Sequence, residues 1–281
     1  MKTAPHRISR EGFEDCLRLA DIVRAHAVKM THRGKSGHVG SSLSMADILT
    51  VLYTRILRVD PEKPKWPDRD RFILSKGHAA AGVYAILAEL GFFPKSWLTT
   101  YYQDNGRLMG HISHHVPGVE FSTGSLGHGL PVACGMAIHA KRNNKKYRIF
   151  CLMSDGDCNE GSTWEAIMFA AQHRLDNLVA IVDYNKIQAL GRSRDIINLE
   201  PFARKVKDFH WAVREIDGHN FQEIEDAFEN VPFQTGKPSF IICHTVKGKG
   251  VSLFEDTVAS HYKCANDQEL IQACRELGVE P

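Results

Sequence analysis

The sequence has almost no excess charge of either sign, because 35 basic residues stand against 33 acidic ones. This balance excludes a surface built to bind nucleic acid or acidic membranes through charge alone. No apolar run approaches the ~18 residues of a transmembrane helix, and residues 1–9 lack the apolar stretch of a signal peptide, so we expect neither. The seven cysteines show no paired CxxC spacing, which favours reduced thiols over a disulfide framework. We therefore expect a cytoplasmic protein.

Four short apolar segments, beginning near residues 148, 178, 212 and 239, are typical of buried β-strands. About 30 residues separate each from the next, the period of repeated strand–helix–strand units. A further short strand is predicted at residues 71–75. The spacing predicts an α/β fold with a mostly parallel sheet and helices on both faces. A length of 281 residues would suit one large domain or two small ones.

Helical periodicity predicts helices at residues 14–31, 79–90, 129–140, 221–228 and 266–277. In the first of them we expect Leu17 and Val23 on the buried face and Arg24 on the exposed face. Ser44 followed by Asp47 indicates another helix start, with Ser44 as its N-cap. Residues 61–70 are rich in proline and charge, which predicts an exposed loop.

Two polar side chains follow neighbouring strands at the centre of the chain. Asp155 comes soon after the apolar segment 149–153, and Asn185 follows the segment 178–183. Because parallel strands joined by a helix end at the same edge of a sheet, the two residues can meet there. Their oxygens suit Mg²⁺, and Gly156 permits a tight turn whose backbone N–H groups can contact a diphosphate. The alternative is that Asp155 and Asn185 simply form turns.

Several loops that contain glycine also contain histidine. His38 ends the loop 33–38, His78 follows the predicted strand at 71–75, and His111 lies in the loop 105–129, which is rich in apolar residues. A loop of that length in a compact domain is typical of a functional segment. Polar filler is the alternative for His78. The loop also carries His114, His115 and His128, but without an acidic partner they do not favour zinc. Lys247, in the basic glycine loop 247–250, could contact an anion or lie in a solvated turn.

Six stretches resemble the transketolases and occur in the same order as in that family. They lie at residues 36–38 (SGH), 75–78 (SKGH), 109–111 (MGH), 117–127 (PGVEFSTGSLG), 154–161 (SDGDCNEG) and 246–251 (VKGKGV). The resemblance covers roughly residues 12–263 and is strongest to the amino-terminal half of transketolases made of two polypeptides. It implies a single thiamine diphosphate-binding domain over residues 1–281, with the pyrimidine and carboxy-terminal domains on a partner chain.

The resemblance implies a role for each matching residue. Asp155, Asn185 and the backbone carbonyl of Ile187 would hold Mg²⁺, for which Ca²⁺ or Mn²⁺ could substitute. The residues implied to bind thiamine diphosphate are His78, Gly124, Ser125, Leu126, Asp155, Gly156, Asp157, Glu160, Asn185, Ile187 and His261. Those implied to take part in catalysis are His38, His111, His261 and Glu160, the last of them near a two-fold subunit interface.

The implied activity is the transfer of a two-carbon ketol unit from a ketose or its phosphate to an aldose or its phosphate. In this family the glutamate that activates the aminopyrimidine of the cofactor lies in a second domain, beyond the stretch that this chain matches. We therefore expect the chain to act only with a carboxy-terminal partner subunit, in an α₂β₂ assembly. Most contacts to the substrate tail would lie on that partner, so phosphate, sulfonate and neutral tails are all compatible with the sequence.

Four positions depart from the usual family pattern and predict differently shaped loops. Val39 and Ile112 replace proline, His128 replaces glutamine, and Tyr262 replaces glycine. The nearest alternative is a 1-deoxyxylulose-5-phosphate synthase, over which the motif 117–127 and the Glu160 segment favour transketolase. A second is the α subunit of a 2-oxoacid dehydrogenase, which lacks this set of histidines. A non-catalytic cofactor-binding subunit is a further alternative, and it is disfavoured because a scaffold has no need of the histidines.

Overall fold

A single parallel sheet forms the centre of the protein. In the computed structural model, which describes residues 12–281, its strands are β1 (Arg71–Leu74), β2 (Ile149–Ser154), β3 (Leu178–Tyr184), β4 (Ala212–Asp217) and β5 (Ser239–His244). They lie in the order β1-β2-β3-β5-β4, and every neighbouring pair is parallel. The predicted α/β sheet is confirmed. The expectation that residues 1–9 are no signal peptide falls outside the described residues.

Helices flank the sheet on both faces, as predicted. In chain order they are α1 (Phe13–Arg33), α2 (Val39–Ser44), α3 (Ala46–Val51), α4 (Ala80–Glu89), α5 (Gly129–Arg142), α6 (Gly161–Gln172), α7 (Ser193–Ile196), α8 (Phe202–Asp208), α9 (Phe221–Glu229) and α10 (Asp267–Glu276). Alternate side chains of β2 enter two separate cores: Phe150 and Leu152 pack with α1–α4 and α9, whereas Cys151 and Met153 pack with α5, α6 and α8. Burial on both sides explains why β2, β3 and β5 are mostly apolar runs.

The prediction for the faces of α1 is wrong at two positions. Leu17 is 50% exposed, whereas Arg24 is buried and forms an ion pair of 2.5 Å with Asp47 of α3. This ion pair gives the Arg24 charge a partner inside the protein. Asp47 also accepts a hydrogen bond from His219. Because α1 packs against α2, α3, α4 and α10, its buried surface is wider than one apolar stripe and includes this paired arginine.

The predicted N-cap role of Ser44 is also wrong. The helix α3 begins after Met45 without a side-chain cap, and the Ser44 hydroxyl donates instead to the carboxylate of Asp183 at 2.5 Å. Ser44 is completely buried, so a tertiary partner on β3 replaces the local backbone partner.

The carboxyl ends of the central strands meet at one edge of the sheet. Ser154 of β2 pairs with Asp183 of β3, and Tyr184 of β3 pairs with His244 of β5. The loops that begin at Asp155, Asn185 and Thr245 therefore leave the sheet side by side, which is where open α/β sheets bind ligands. Within residues 12–281, no helix is both long and apolar enough to cross a membrane.

Candidate functional site

Side-chain hydrogen bonds hold Asp155 and Asn185 at this edge of the sheet. Asp155 is 2% exposed; its Oδ1 accepts from the Gly156 N–H at 2.9 Å, and its Oδ2 accepts from the Ser193 hydroxyl of α7. Asn185 Oδ1 accepts from the Ile187 N–H at 3.2 Å. Both residues form turns, as the simpler alternative held, yet each keeps an oxygen lone pair for a further partner.

Burial raises the pKa of Asp155. The nearby Asp183 carboxylate raises it further, while the Ser193 hydroxyl and the Lys247 ammonium lower it. A cation beside Asp155 would offset the cost of burying its charge. The described residues contain no cluster of three His, Cys, Asp or Glu side chains suited to a metal, so a cation held by Asp155 and Asn185 would also need oxygens from backbone carbonyls or from a ligand.

Lys247 belongs to this site, although the sequence left it between an anion contact and a solvated turn. Its side chain is 1% exposed, so the solvated turn is wrong. Lys247 Nζ donates to the Ile187 carbonyl at 3.0 Å and lies 3.2 Å from His261 Nδ1. Burial lowers the pKa of Lys247 to about 8, and Lys76 adds to the lowering, while Asp155 and Asp183 oppose it. In the sequence, the available signal for this role was a lysine in the glycine loop that follows the last strand.

Four histidine rings lie close together at this site. The His38 ring centroid lies 4.8 Å from that of His261, 5.0 Å from that of His78 and 5.7 Å from that of His111. His38 adopts a left-handed backbone (φ 69°), and its N–H donates to the His261 carbonyl at 2.7 Å. A Cβ at Gly37 would lie 2.7 Å from that same carbonyl oxygen, so only glycine allows the two loops to approach.

The other histidines of the long loop have different surroundings. His114 Nδ1 lies 2.7 Å from the Ser122 hydroxyl, and His128 Nδ1 lies 3.3 Å from the Leu126 carbonyl. His114, His128 and His111 are all exposed, but of the three only His111 has its ring beside that of His38. The loop has no helix or strand, as predicted, and Leu108, Ile112 and Val116 anchor it in the core, among other residues.

The converging histidines are poor bases in this environment. Burial lowers the pKa of His38 to about 4, with His111 and Lys247 adding to the effect. Burial also lowers the pKa of His261 to about 3, aided by Lys247 and His38, and it places the pKa of the fully buried His78 well below its ordinary value. Near neutral pH these rings are uncharged, so each can donate one hydrogen bond and accept another.

We expect His38 and His261 to remain neutral from pH 8 down to pH 5 in the folded protein. Since the unfolded chain binds these protons near the ordinary histidine pKa of about 6.5, acidification favours unfolding. The free energy of unfolding should therefore fall as the pH drops from about 6.5 toward 4, and less steeply in His38→Gln. Long-range ¹H–¹⁵N spectra and denaturant titrations at several pH values measure both effects. Two rings that titrate near pH 6.5 would contradict this assignment.

Asp157 holds the turn that closes the site from the side of α5. It is completely buried, and its carboxylate accepts from the Ser75 hydroxyl at 2.6 Å and from the N–H groups of Gly127 and Ser154 at 2.8 Å each. Gly127 has φ 78°, and a Cβ there would lie 2.6 Å from Glu160 Cβ. Asp157 thus positions the segment that contains Gly124, Ser125 and Leu126.

The segment before Gly127 spans the space between two other site elements. A Cβ at Gly124 would touch the His111 ring at 3.4 Å, and a Cβ at Gly156 would lie 3.2 Å from the Leu126 side chain. Glu160 is exposed and packs against the Gly127 turn. The loops that carry the predicted site residues therefore lie next to one another, with Glu160 beside the Gly127 turn, and we call the space between these loops the cleft.

Comparison with known proteins identifies the family. Residues 17–281 match the family described as transketolase, thiamine diphosphate binding domain. The chain belongs to the transketolase family. It is 41% identical over 278 residues to one of the apulose-4-phosphate transketolase subunits of Actinobacillus succinogenes, a match that covers 98% of this chain and 99% of that protein. The resemblance inferred from the six motifs is confirmed.

Two further relatives support the same assignment. A 6-deoxy-6-sulfo-D-fructose transketolase subunit from a Clostridium species is 40% identical over 262 residues, which cover 93% of this chain and 95% of that one. The crystal structure of transketolase from Campylobacter jejuni superposes with a TM-score of 0.91 at 31% identity, over 96% of this chain and 44% of that one. The transketolase fold is confirmed, and the family's activity is ketol transfer with thiamine diphosphate.

Proposed function

We propose that this chain is the amino-terminal, thiamine diphosphate-binding subunit of a two-chain transketolase. The observation that carries the proposal is the convergence of His38, His78, His111 and His261, which Lys247 joins to the Ile187 carbonyl at the strand edge. Two relatives covered almost end to end are named as transketolase subunits, which supports a separate partner chain. The balanced charge supports a cytoplasmic enzyme without a nucleic-acid partner.

The residues at the strand edge fit a hard divalent cation. Asp155, Asn185 and the Ile187 carbonyl would hold Mg²⁺, with Ca²⁺ or Mn²⁺ as substitutes, because all three present oxygen. The Ile187 carbonyl receives Lys247 on one lone pair and keeps the other. Water molecules and oxygens of the cofactor diphosphate would complete the coordination of the cation.

The same cleft fits the diphosphate end of thiamine diphosphate. His78, the Gly156 turn and the buried Lys247 ammonium supply donors, while Leu126 supplies an apolar wall with Gly124 and Ser125 beside it. The amide nitrogen of Asn159, in the turn that starts at Gly156, is buried without a hydrogen-bond partner in the described structure, so a donor is available on this side. When bound, the cofactor supplies the carbanion chemistry of ketol transfer.

The neutral histidines are suited to sugar hydroxyls. We assign His38, His111 and His261 to donating hydrogen bonds to substrate oxygens and to moving a proton at the substrate carbonyl and hydroxyl oxygens as the two-carbon unit is transferred. A neutral ring that accepts a proton becomes cationic, and because that charge is costly in this buried place the ring readily passes the proton on. Lys247, beside His261 Nδ1, favours the ring form that carries its proton on Nε2.

The substrate class follows from the relatives rather than from this chain. Their names specify ketoses with a phosphate or a sulfonate, so we propose a ketose with an anionic end group as donor and an aldose as acceptor. The site residues of this chain surround the reacting end of such a sugar, and the proposed partner subunit would bind its tail.

The histidine assignment is tested by kinetics of His38→Ala and His111→Ala in the assembled enzyme. Each variant should lower kcat by about 10²–10⁴-fold, the usual contribution of a positioned proton donor, with a nearly unchanged Kd for thiamine diphosphate. His210→Asn, at the opposite edge of the sheet, is the matched control and tolerates the left-handed backbone there. Full activity in both site variants would mean that these histidines only pack the loops.

A further inference from the structure

Asp183 is a completely buried carboxylate that touches four elements beneath the site. Its Oδ2 accepts from the ammonium of Lys76, which is itself fully buried, and from the Ser44 hydroxyl at 2.5 Å. Its Oδ1 accepts from the Thr245 hydroxyl. These donors come from the turn after β1, the end of α2 and the loop after β5, while Asp183 itself lies on β3. A buried charge with this many partners is fixed in one position.

Asn185 is bonded to the same carboxylate. Its Nδ2 lies 3.3 Å from Asp183 Oδ2 and 3.4 Å from the Ser44 hydroxyl oxygen. At the other end of the amide, Oδ1 accepts from the Ile187 N–H at 3.2 Å. The reversed amide would press its oxygen against the Asp183 carboxylate and turn its nitrogen toward the Ile187 N–H, which loses two hydrogen bonds and adds repulsion.

We propose that Asp183 is a positioning residue for the metal site, because it fixes the Asn185 amide with its oxygen directed away from the carboxylate and toward the cation. The proposal rests on the function proposed above. An amide in the reversed orientation would offer N–H groups to the cation and could not ligate it. Outer partners that orient metal ligands typically change metal affinity by about 10–100-fold.

The test must separate orientation from stability. Removing one member of a buried ion pair leaves the other charge unpaired, so both variants carry Lys76→Met. In Lys76→Met/Asp183→Asn, the new amide can place its oxygen toward Asn185 and donate its nitrogen to Thr245. In Lys76→Met/Asp183→Leu, a side chain of similar size offers no acceptor.

Binding of Mn²⁺ is measured by electron paramagnetic resonance on the full chain, with inorganic pyrophosphate and again with thiamine diphosphate. We expect the leucine variant to bind Mn²⁺ at least about tenfold more weakly than the asparagine variant, and the asparagine variant to lie within about threefold of the wild type. Asp70→Asn is the matched control, since Asp70 is a buried carboxylate paired with Arg58 and Arg148 away from the site. It should lower the melting temperature without changing Mn²⁺ affinity.

Equal affinity in the leucine and asparagine variants would overturn the positioning role and leave the proposed function intact. Absence of Mn²⁺ binding by the wild type would overturn both proposals. If the leucine variant does not fold, Ser44→Ala and Thr245→Val decide, because each removes one hydrogen bond to Asp183. Ser44→Ala should weaken Mn²⁺ binding and Thr245→Val should not, since only Ser44 also contacts Asn185. Equal Mn²⁺ affinity in the Ser44→Ala and Thr245→Val variants would count against the proposal.

Discussion

Replacing Asp155 with alanine is expected to abolish the retention of thiamine diphosphate by the assembled enzyme. The change removes the one carboxylate among the three proposed metal ligands, so the loss of affinity should exceed the ~100-fold typical of residues that only support ligands. Isothermal calorimetry with Mg²⁺ and thiamine diphosphate measures it. Wild-type affinity in this variant would refute the metal assignment.

The same substitution should not lower the stability of the cofactor-free chain. Asp155 is buried, and burial raises its pKa, so its removal should leave the melting temperature of the cofactor-free chain unchanged or higher. The stabilisation gained from ligand, about 2.7 kcal/mol at a hundredfold excess over Kd, should disappear in the variant. Asp195→Ala, which removes an exposed carboxylate of α7, is the control for net charge and should keep the full ligand effect.

The fold could be predicted from the sequence because its central strands are buried on both faces. Such strands are continuous apolar runs, and the predicted segment 149–153 corresponds to β2 (Ile149–Ser154), while 178–183 corresponds to β3 (Leu178–Tyr184). The predicted helix at 14–31 corresponds to α1 (Phe13–Arg33). Periodicity located the helix but could not show that several neighbours surround it, and so it placed Arg24 on the wrong face.

The candidate site was predictable where strand ends carry oxygen side chains. Asp155 and Asn185 follow from the rule that parallel strands end at one edge, and the transketolase motifs supplied the histidines. Asp183 was missed and the role of Lys247 was left open, because both depend on partners far apart in sequence: Lys247 contacts the Ile187 carbonyl, and Asp183 contacts Lys76. An acidic residue inside the apolar segment 178–183 was the one local signal for Asp183.

The chain by itself should show no ketol transfer, and it should gain this activity with a carboxy-terminal partner subunit in an α₂β₂ assembly. The described carboxylates at the cleft are already engaged: Asp155 with Ser193, Asp157 with Ser75 and Gly127, and Asp183 with Lys76. Each is buried below the cleft. None of these three is free to face the aminopyrimidine of the cofactor, and Glu160 lies beside the Gly127 turn, so we expect the partner subunit to supply that carboxylate.

Three large apolar side chains are exposed on loops that carry or adjoin the predicted site residues. Met109 is 60% exposed beside the loop of His111, Tyr262 is 63% exposed beside His261, and Leu190 is 84% exposed in the loop after β3. Side chains of this size next to a reaction site are expected to be covered in the active assembly, which would also exclude water from it. Glu160 is exposed, and its position near a contact between two copies of the chain stays a prediction from the family resemblance.

Mixing the purified chain with its partner tests this directly. Consumption of xylulose 5-phosphate with an aldose acceptor should appear only in the mixture containing Mg²⁺ and thiamine diphosphate, with either chain alone as a control, and analytical ultracentrifugation should give the mass of two copies of each. Leu190→Asp should weaken assembly, because it places a charge in a surface that becomes buried. Met168→Asp, which places the same charge at an exposed apolar side chain of α6, is the control for this change. Robust ketol transfer by the 281-residue chain alone would rule out the need for a second subunit.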